Sequence, residues 1–572
     1  MDLSFSKNTV HVFTSWFGRS GTVDSLVSEP VRRPPCPCVK IKTLPPADPE
    51  DEGVESARIL KYYERLSREP SIKVQTVIVA RNGRILSRAH FYPYTTDIWH
   101  VSHSLAKSLT GLAVGLLYDD GLISPDDKFL DVLPKGTQIP PTARINHKNT
   151  TVHHLLTMQT GVFFNEAGAV TDTDWVRAYL ESAVKFRPGT SFEYNSMNTY
   201  MLAAIVRGIA GKGVLDLLRE RVFEPLGIEH IYWEKCPKGI EKGGWGVYYY
   251  PDDILKIGQL YLNGGVWDGK RIISEKWIHE STKKQIGTPD ETGIYDYGYQ
   301  VWCKEDRSTF LFNGMFGQNL IVFPKTKIMI ATTAGIDETF QNSALYTITE
   351  RYFGTPYRPR AHMEKDASSL EALRAAEPSM MMKNSDAFIY GGTDYPVPAL
   401  DGEYETAGND GAGLSILPEL YQAVHNCFAE GLKRLTVRLD GDTGQITTLE
   451  GETPHTVSFG IRKQVTGCVK YGAEQILTSS AAYPTEDGKL KIVITFPELP
   501  NVRYLTLWRQ DDSLAAKWEE SPGYDFMYRM MNRSFLGKLV LADRKTKAVD
   551  AEFITRRVKY FLQPTVKMKK VR

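Results

Sequence analysis

Apolar residues recur at helical intervals through the first half of the chain and at every second position through much of the second half, and this change of period predicts its organisation. From Val54, the stretch VESARILKYYERLSRE sets Ile59, Leu60, Tyr63 and Leu66 at helical spacing. QTVIVARNGRILSRAHF then reads as two β-rich runs around Asn82-Gly83, the strongest short hairpin signal. Trp99 to Gly121, WHVSHSLAKSLTGLAVGLLYDDG, predicts a long helix with Leu105, Leu109, Leu112 and Leu116 as an apolar stripe. Beside it Ser104, Lys107, Ser108, Gly111 and Gly115 form a second stripe of mostly small residues. Each glycine within a helix costs ~1 kcal/mol relative to alanine, so two on one side imply that another element approaches the backbone there. Asp172 to Val184 reads as a further helix, and FEYNSMNTYMLAAIVRGIAG as a polar turn running into an apolar helix. Residues 242–285 read as a turn, an amphipathic helix, a glycine-rich turn and another helix, with their aromatics in the core.

From Tyr297 the period is that of strands. YGYQVWCKE, STFLFNG, QNLIVFP and KIMIATTAG, separated by short turns, predict an antiparallel meander, and Phe340 to Phe353 a closing helix. Arg358 to Ser385 is charged and then methionine-rich, with SLEALRAAE as a short helix, and reads as a linker. Beyond it LKRLTVRLD, GQITTLEGE, HTVSFGIRK, LKIVITFP and RYLTLWRQ are regular short strands, the pattern of a β-sandwich or barrel. The basic VKMKKVR at the end reads as a frayed terminus. The expected division is an irregular arm over 1–50, an α+β domain over 51–357, a linker over 358–385 and a β-rich domain over 386–572.

Composition narrows the function. The chain has 572 residues, 42% hydrophobic, and its 69 basic against 68 acidic residues leave a net charge of +1, so nothing recommends nucleic acid or an anionic membrane as a partner. No apolar run reaches the ~18 residues of a spanning helix. MDLSFSKNTVHVFTSWFGRS lacks a basic leader followed by an apolar segment, and the expected compartment is the cytoplasm. Cys36, Cys38, Cys236, Cys303, Cys427 and Cys468 are too scattered for a disulfide scaffold and show no zinc spacing. His153 and His154 are adjacent and read as packing or surface residues, so no metal or cofactor is expected.

The candidate chemistry lies at the start of the long helix. Ser104 and Lys107 stand at i and i+3, so the amine reaches back toward the hydroxyl. Desolvation among the small residues favours a neutral lysine, which makes it a plausible base. A serine at a helix start also has free N–H groups nearby to hold an oxyanion. Ser-x-x-Lys recurs at Ser4 with Lys7, Ser182 with Lys185 and Ser281 with Lys284, none of them opening a comparable helix. Tyr194 and Ser196 form a second anchor, held on a turn immediately before an apolar helix.

Ser104-Leu-Ala-Lys107, Tyr194-Asn-Ser196 and FNGMFGQ at Phe312 to Gln318, in that order, make the region from roughly residue 50 to 355 resemble the β-lactamase-related serine hydrolases. These include class C β-lactamases, DD-peptidases, D-aminopeptidases and carboxylesterases. The resemblance implies a β-lactamase/transpeptidase-like antiparallel sheet flanked by helices, with the smaller all-β domain following. It implies Ser104 as nucleophile, Lys107 as its base and Tyr194 as proton carrier to the leaving group. It further implies an oxyanion hole from the backbone N–H groups of Ser104 and Met315, with Ser196, Phe312, Asn313 and Gly314 binding substrate. The chain departs from the family pattern in having Ser196 where asparagine is usual. It also has Phe312-Asn313-Gly314 where β-lactamases and DD-peptidases carry a cation or a histidine.

The expected activity is therefore hydrolysis of a small-molecule ester, amide or peptide through an acyl-enzyme, as an esterase, amidase or peptidase rather than a true β-lactamase. With no cation in the third motif, neutral substrates are expected to be favoured, because Lys304, Arg307 and Lys325 belong to turns or strand ends. The alternative is a catalytically silent member of the family that binds or scaffolds, docking a partner through its C-terminal β domain. A homo-oligomer is open in either case.

Overall fold

The computed structural model describes residues 33–164, 166–169, 172–361, 363–408, 411, 414–425, 429–471, 474–523, 559 and 563–571. They divide into two units, one of residues 37–334 and 339–380, the other of 33–36, 335–338 and those from 381 onward.

The first unit is built on a seven-stranded sheet whose centre is the predicted hairpin and meander. Strands β1 (Val74–Arg81) and β2 (Arg84–His90) turn through Asn82 and Gly83, both left-handed at φ 51° and 75°. The meander supplies β3 (Asp296–Tyr297), β4 (Trp302–Cys303), β5 (Phe310–Gly314), β6 (Gln318–Phe323) and β7 (Ile328–Ala334). Their order is β2-β1-β7-β6-β5-β4-β3, antiparallel throughout. The pairing of β1 with β7, Val79 opposite Ile330, joins segments about 250 residues apart and could not be read from local pattern.

Helices cover the sheet and carry the inserted region. Helix α1 (Ser56–Ser67) buries Ile59, Tyr62, Tyr63 and Leu66, with Tyr62 rather than Leu60 completing the inner face. Helix α2 (Ala106–Asp119) is buried along its whole length from Ala106 to Leu117, so its two stripes both face protein. It packs on α3 (Ser196–Ala210), while α4 (Pro251–Leu262) lies on β7 and β6. Helix α5 (Ala344–Phe353) closes the unit against α1. The stretch expected as a linker carries α6 (Ala367–Ala376), which also packs on α1 within the first unit. Beside it, Arg374 donates to the Leu86 carbonyl at 2.8 Å, and Glu377 accepts from Ser87 at 2.5 Å.

The small residues of α2 have the close neighbours their pattern requires. A side chain at Gly115 would overlap the Trp277 indole at 2.3 Å, and one at Gly111 would press on Gln300 at 3.1 Å. Gln300 in turn accepts from Ser108 through its carbonyl (2.8 Å) and from Thr199 through its amide oxygen (2.6 Å), which ties α2 to α3.

The second unit is a barrel. Among the described residues, ten strands between Gly402 and Lys570 form one sheet, and the parallel pairing of Gly460 and Ile461 with Ala481 and Ala482 closes it. Of the two all-β architectures expected, the barrel is the one adopted. The terminal segment read as frayed is its strand Thr565–Lys570, seated between Gly402–Thr406 and Ser513–Ser521. Val566 and Met568 point inward and are buried, while Lys567 and Lys569 alternate outward, a period of two hidden under the basic composition. Within the segment read as an arm, Arg33 is buried, its guanidinium 2.7 Å from Glu498. Leu44 and Glu50 are also buried, and residues 1–32 lie outside the described residues.

Candidate active site

Ser104 lies in a single 3-10 turn, His103–Leu105, that leads into α2. It is half-buried, whereas Lys107, one turn on, is buried. The amine nitrogen has three oxygen neighbours, Ser104 Oγ at 3.0 Å, Ser196 Oγ at 2.7 Å and the Gly244 carbonyl at 2.9 Å. A carbonyl can only accept, and a hydroxyl can do either. A neutral amine is therefore satisfied by donating to Gly244 and Ser196 while its lone pair takes the Ser104 proton. Burial lowers the Lys107 amine to about 7, the charge of Glu166 opposing the shift.

Tyr194 flanks the pair. Its ring face is 4.7 Å from Lys107 Nζ, and it stacks on Trp302 (centroids 5.7 Å apart, planes at 22°) with Phe340 edge-on at 5.3 Å. Burial pushes its phenol well above the usual range, with the Ser104 hydroxyl acting the other way. Of the two titratable groups, lysine is therefore the one that is neutral and basic near pH 7, and the tyrosine stays a phenol.

The third motif reaches the site through its backbone. A side chain at Gly314 would lie 2.1 Å from the Ser102 carbonyl, so only glycine lets the end of β5 approach the turn before Ser104 this closely. Phe312, expected to touch substrate, has no exposed surface, its ring packing edge-on against Tyr261 of α4 at 5.2 Å. Asn313 is likewise turned into the protein. Its amide nitrogen donates to Asn319 Oδ1 and the Tyr346 hydroxyl, both 2.8 Å away, and its oxygen accepts from Gln341 at 2.8 Å. Both side chains are enclosed because successive strand side chains point to opposite faces, and here both faces of β5 are covered. Lys304 is paired with Glu350 at 2.8 Å.

Two non-glycine residues in the left-handed region adjoin the oxyanion donors expected from sequence. His103 (φ 46°) precedes Ser104 and Phe316 (φ 68°) follows Met315, and their rings meet edge to face at 5.4 Å. Such residues cost roughly 1–2 kcal/mol each and persist where the surroundings over-determine them.

The profile of the family described as Beta-lactamase matches residues 62–346. The chain belongs to the beta-lactamase family. It is 26% identical over 283 residues to a 6-aminohexanoate-dimer hydrolase from Paenarthrobacter ureafaciens, covering 44% of this chain and 70% of that one. It is also 26% identical over 225 residues to penicillin-binding protein 4 of Amycolatopsis lactamdurans, covering 33% of this chain and 58% of the relative. A crystal structure of D-amino acid amidase from Ochrobactrum anthropi SV3 overlays on 51% of this chain and 97% of its own, at 16% identity and a TM-score of 0.41.

Two contributors to this beta-lactamase-family site escaped the sequence reading. Gly244 supplies the third oxygen at Lys107 from the KGGWG turn, where Gly243 and Gly246 are left-handed at φ 68° and 82°. A side chain at Gly244 would meet Ser196 Cβ at 3.0 Å and Lys107 Nζ at 3.3 Å. The paired glycines were a signal of close approach, but their partner was not deducible. Glu166 is the other, an exposed carboxylate whose Oε1 accepts from the Ser196 N–H at 3.2 Å. Nothing in its local sequence marks it. Among the described residues, no helix is long and apolar enough to cross a membrane.

Proposed function

We propose that this chain hydrolyses an ester or amide bond through an acyl-enzyme on Ser104, acting as an esterase, amidase or peptidase rather than as a β-lactamase. The observation that carries the reading is the buried Lys107 amine, lowered to about 7 and 3.0 Å from a half-exposed serine hydroxyl. Ser104 Oγ attacks the substrate carbonyl carbon as its proton passes to Lys107 Nζ. The carbonyl oxygen becomes an oxyanion, received by the backbone N–H groups of Ser104 and Met315. The face of Tyr194, 4.7 Å from the amine, stabilises the ammonium formed. The Tyr194 hydroxyl hands a proton on to the leaving group and recovers one from Lys107. Water then attacks the acyl-serine ester, Lys107 accepting its proton and returning one to Ser104 Oγ as the acyl C–O bond breaks and the acid leaves.

Ser196 holds Lys107 in this scheme, and Gly314 allows the oxyanion donors to meet. Phe312 and Asn313 support the site from within rather than bind substrate. Residues 51–357 form the hydrolase domain, and the strands from 386 a β domain of their own.

An active-site-directed phosphonate tests the reading. The wild type is expected to be labelled rapidly, and Ser104→Ala neither labelled nor active while retaining its fold, since the lost hydroxyl costs only ~1 kcal/mol. Labelling that persists in Ser104→Ala would remove the assignment. An unlabelled wild type would favour a binding or scaffolding role.

A further inference from the structure

A glutamine outside all three motifs has each of its polar atoms committed to the elements that carry the site. Gln300 lies in the turn between β3 and β4 and is buried. Its carbonyl accepts from the hydroxyl of Ser108 (2.8 Å), the residue after Lys107 in α2. Its amide oxygen accepts from the hydroxyl of Thr199 (2.6 Å), one turn on from Ser196 in α3. The side-chain NH2 donates to the carbonyls of Leu155 (3.1 Å) and Leu156 (2.9 Å), and the backbone N–H donates to Leu156 as well, at 3.1 Å. That anchored segment runs on to Met158, whose carbonyl accepts from the N–H of Glu193 (2.9 Å), the neighbour of Tyr194.

The backbone conformation argues that the side chain is what the position requires. Gln300 is left-handed at φ 59°, which glycine adopts freely and any side chain adopts under strain. A glycine would relieve that strain and forfeit the bridge from α3 to Leu155 and Leu156. An apolar side chain would fill the same space and strip the buried Thr199 hydroxyl of its acceptor. The contacts at the base are sensitive to what this bridge sets, the separation of α2 from α3. Lys107 Nζ is 2.7 Å from Ser196 Oγ, and because N–H···O bonds weaken beyond ~3.2 Å, a shift of ~0.5 Å between the helices would loosen the contact.

We propose that Gln300 is a positioning residue: by clasping α2 to α3 it keeps the Lys107 amine on Ser196 and so aimed at Ser104. The proposal rests on the hydrolase reading above and names what holds its base in place.

Inactivation of the full-length protein by a fluorophosphonate tests it, followed as kinact and KI, with the unfolding midpoint of each variant measured alongside. Thr199→Val removes the α3 end of the bridge in a nearly isosteric side chain, Thr199→Ser keeps the hydroxyl, and Gln300→Gly removes the bridge at a φ that glycine accepts. Thr199→Val and Gln300→Gly should each lower kinact by ~10-fold or more with KI within about 2-fold, and Thr199→Ser should stay within about 2-fold of the wild type in both. In Ser196→Ala the contact to be positioned is already gone, so adding Thr199→Val should lower kinact by no more than about a further 2-fold, because residues that act through one contact are not additive. A role confined to core stability would lower the unfolding midpoint and leave kinact of the folded protein intact. Unchanged kinact in Thr199→Val and Gln300→Gly, a Thr199→Ser variant as slow as Thr199→Val, or an equal loss with and without the Ser196 hydroxyl would overturn the positioning role while the hydrolase reading stands. A wild type that is not inactivated would overturn the two together.

Discussion

Ser196 Oγ lies 2.7 Å from Lys107 Nζ, closer than the Ser104 hydroxyl that the amine is proposed to activate. The serine that replaces the more usual asparagine in the second motif is therefore a direct partner of the proposed base. Its hydroxyl and the Gly244 carbonyl fix the amine on two sides, leaving the third for Ser104. Ser196→Ala should lower kcat by roughly 10-fold or more with a smaller change in KM, the scale of one hydrogen bond that positions a catalytic group. Steady-state kinetics on any turned-over ester will show it; an effect confined to KM would mean that Ser196 touches substrate instead.

The acidity of Lys107 sets the pH profile. Burial brings the amine to about 7, and the base works unprotonated, so log kcat/KM should rise with unit slope below pH 7 and level off above it. Because burial keeps the Tyr194 phenol protonated well beyond the usual range, no descending limb is expected below pH 10. An ascending midpoint near 10, the ordinary lysine value, would contradict a desolvated base. Lys107→Ala should lower turnover by ~100-fold or more on the plateau above pH 7, with the gap narrowing as the wild-type amine protonates below it.

Asn313 sustains the third motif from inside. Replacing it by alanine strips Gln341, Asn319 and Tyr346 of a shared partner in a buried network, which also runs from Asn319 through Thr332 to the Gly317 carbonyl. The expected cost is ~2–3 kcal/mol of stability, read as a lower midpoint in thermal or denaturant unfolding. A direct substrate contact would show instead as a raised KM at unchanged stability.

Met568 tests the terminal strand. Its side chain is fully buried between Tyr404–Thr406 and Leu514 in the paired strands, so Met568→Asp places a charge in the barrel interior. Unfolding of the β unit should shift to markedly lower temperature or denaturant, whereas Lys569→Asp, on the outward face, should be near neutral. Equal effects of the two would mean that the strand is not paired in solution.

Local periodicity was enough to determine the hairpin at Asn82-Gly83, the meander from Tyr297, the buried helix after Ser104 and the regular strands beyond 386, because each is dictated by spacing within about twenty residues. The pairing of Ser104 with Lys107 was equally local, being one helical turn. Tertiary structure alone decided what lay far apart in the chain: the Gly244 carbonyl and Ser196 hydroxyl at the amine, Glu166 on the Ser196 N–H, and the strand Thr565–Lys570 closing a gap between partners some 50 and 160 residues earlier. It also decided that Phe312 and Asn313 turn inward, since a strand's alternation says that two faces differ but not what covers each. Periodicity reports which side of an element is buried; the partners that give a buried lysine its chemistry are supplied by chain segments that no local pattern connects.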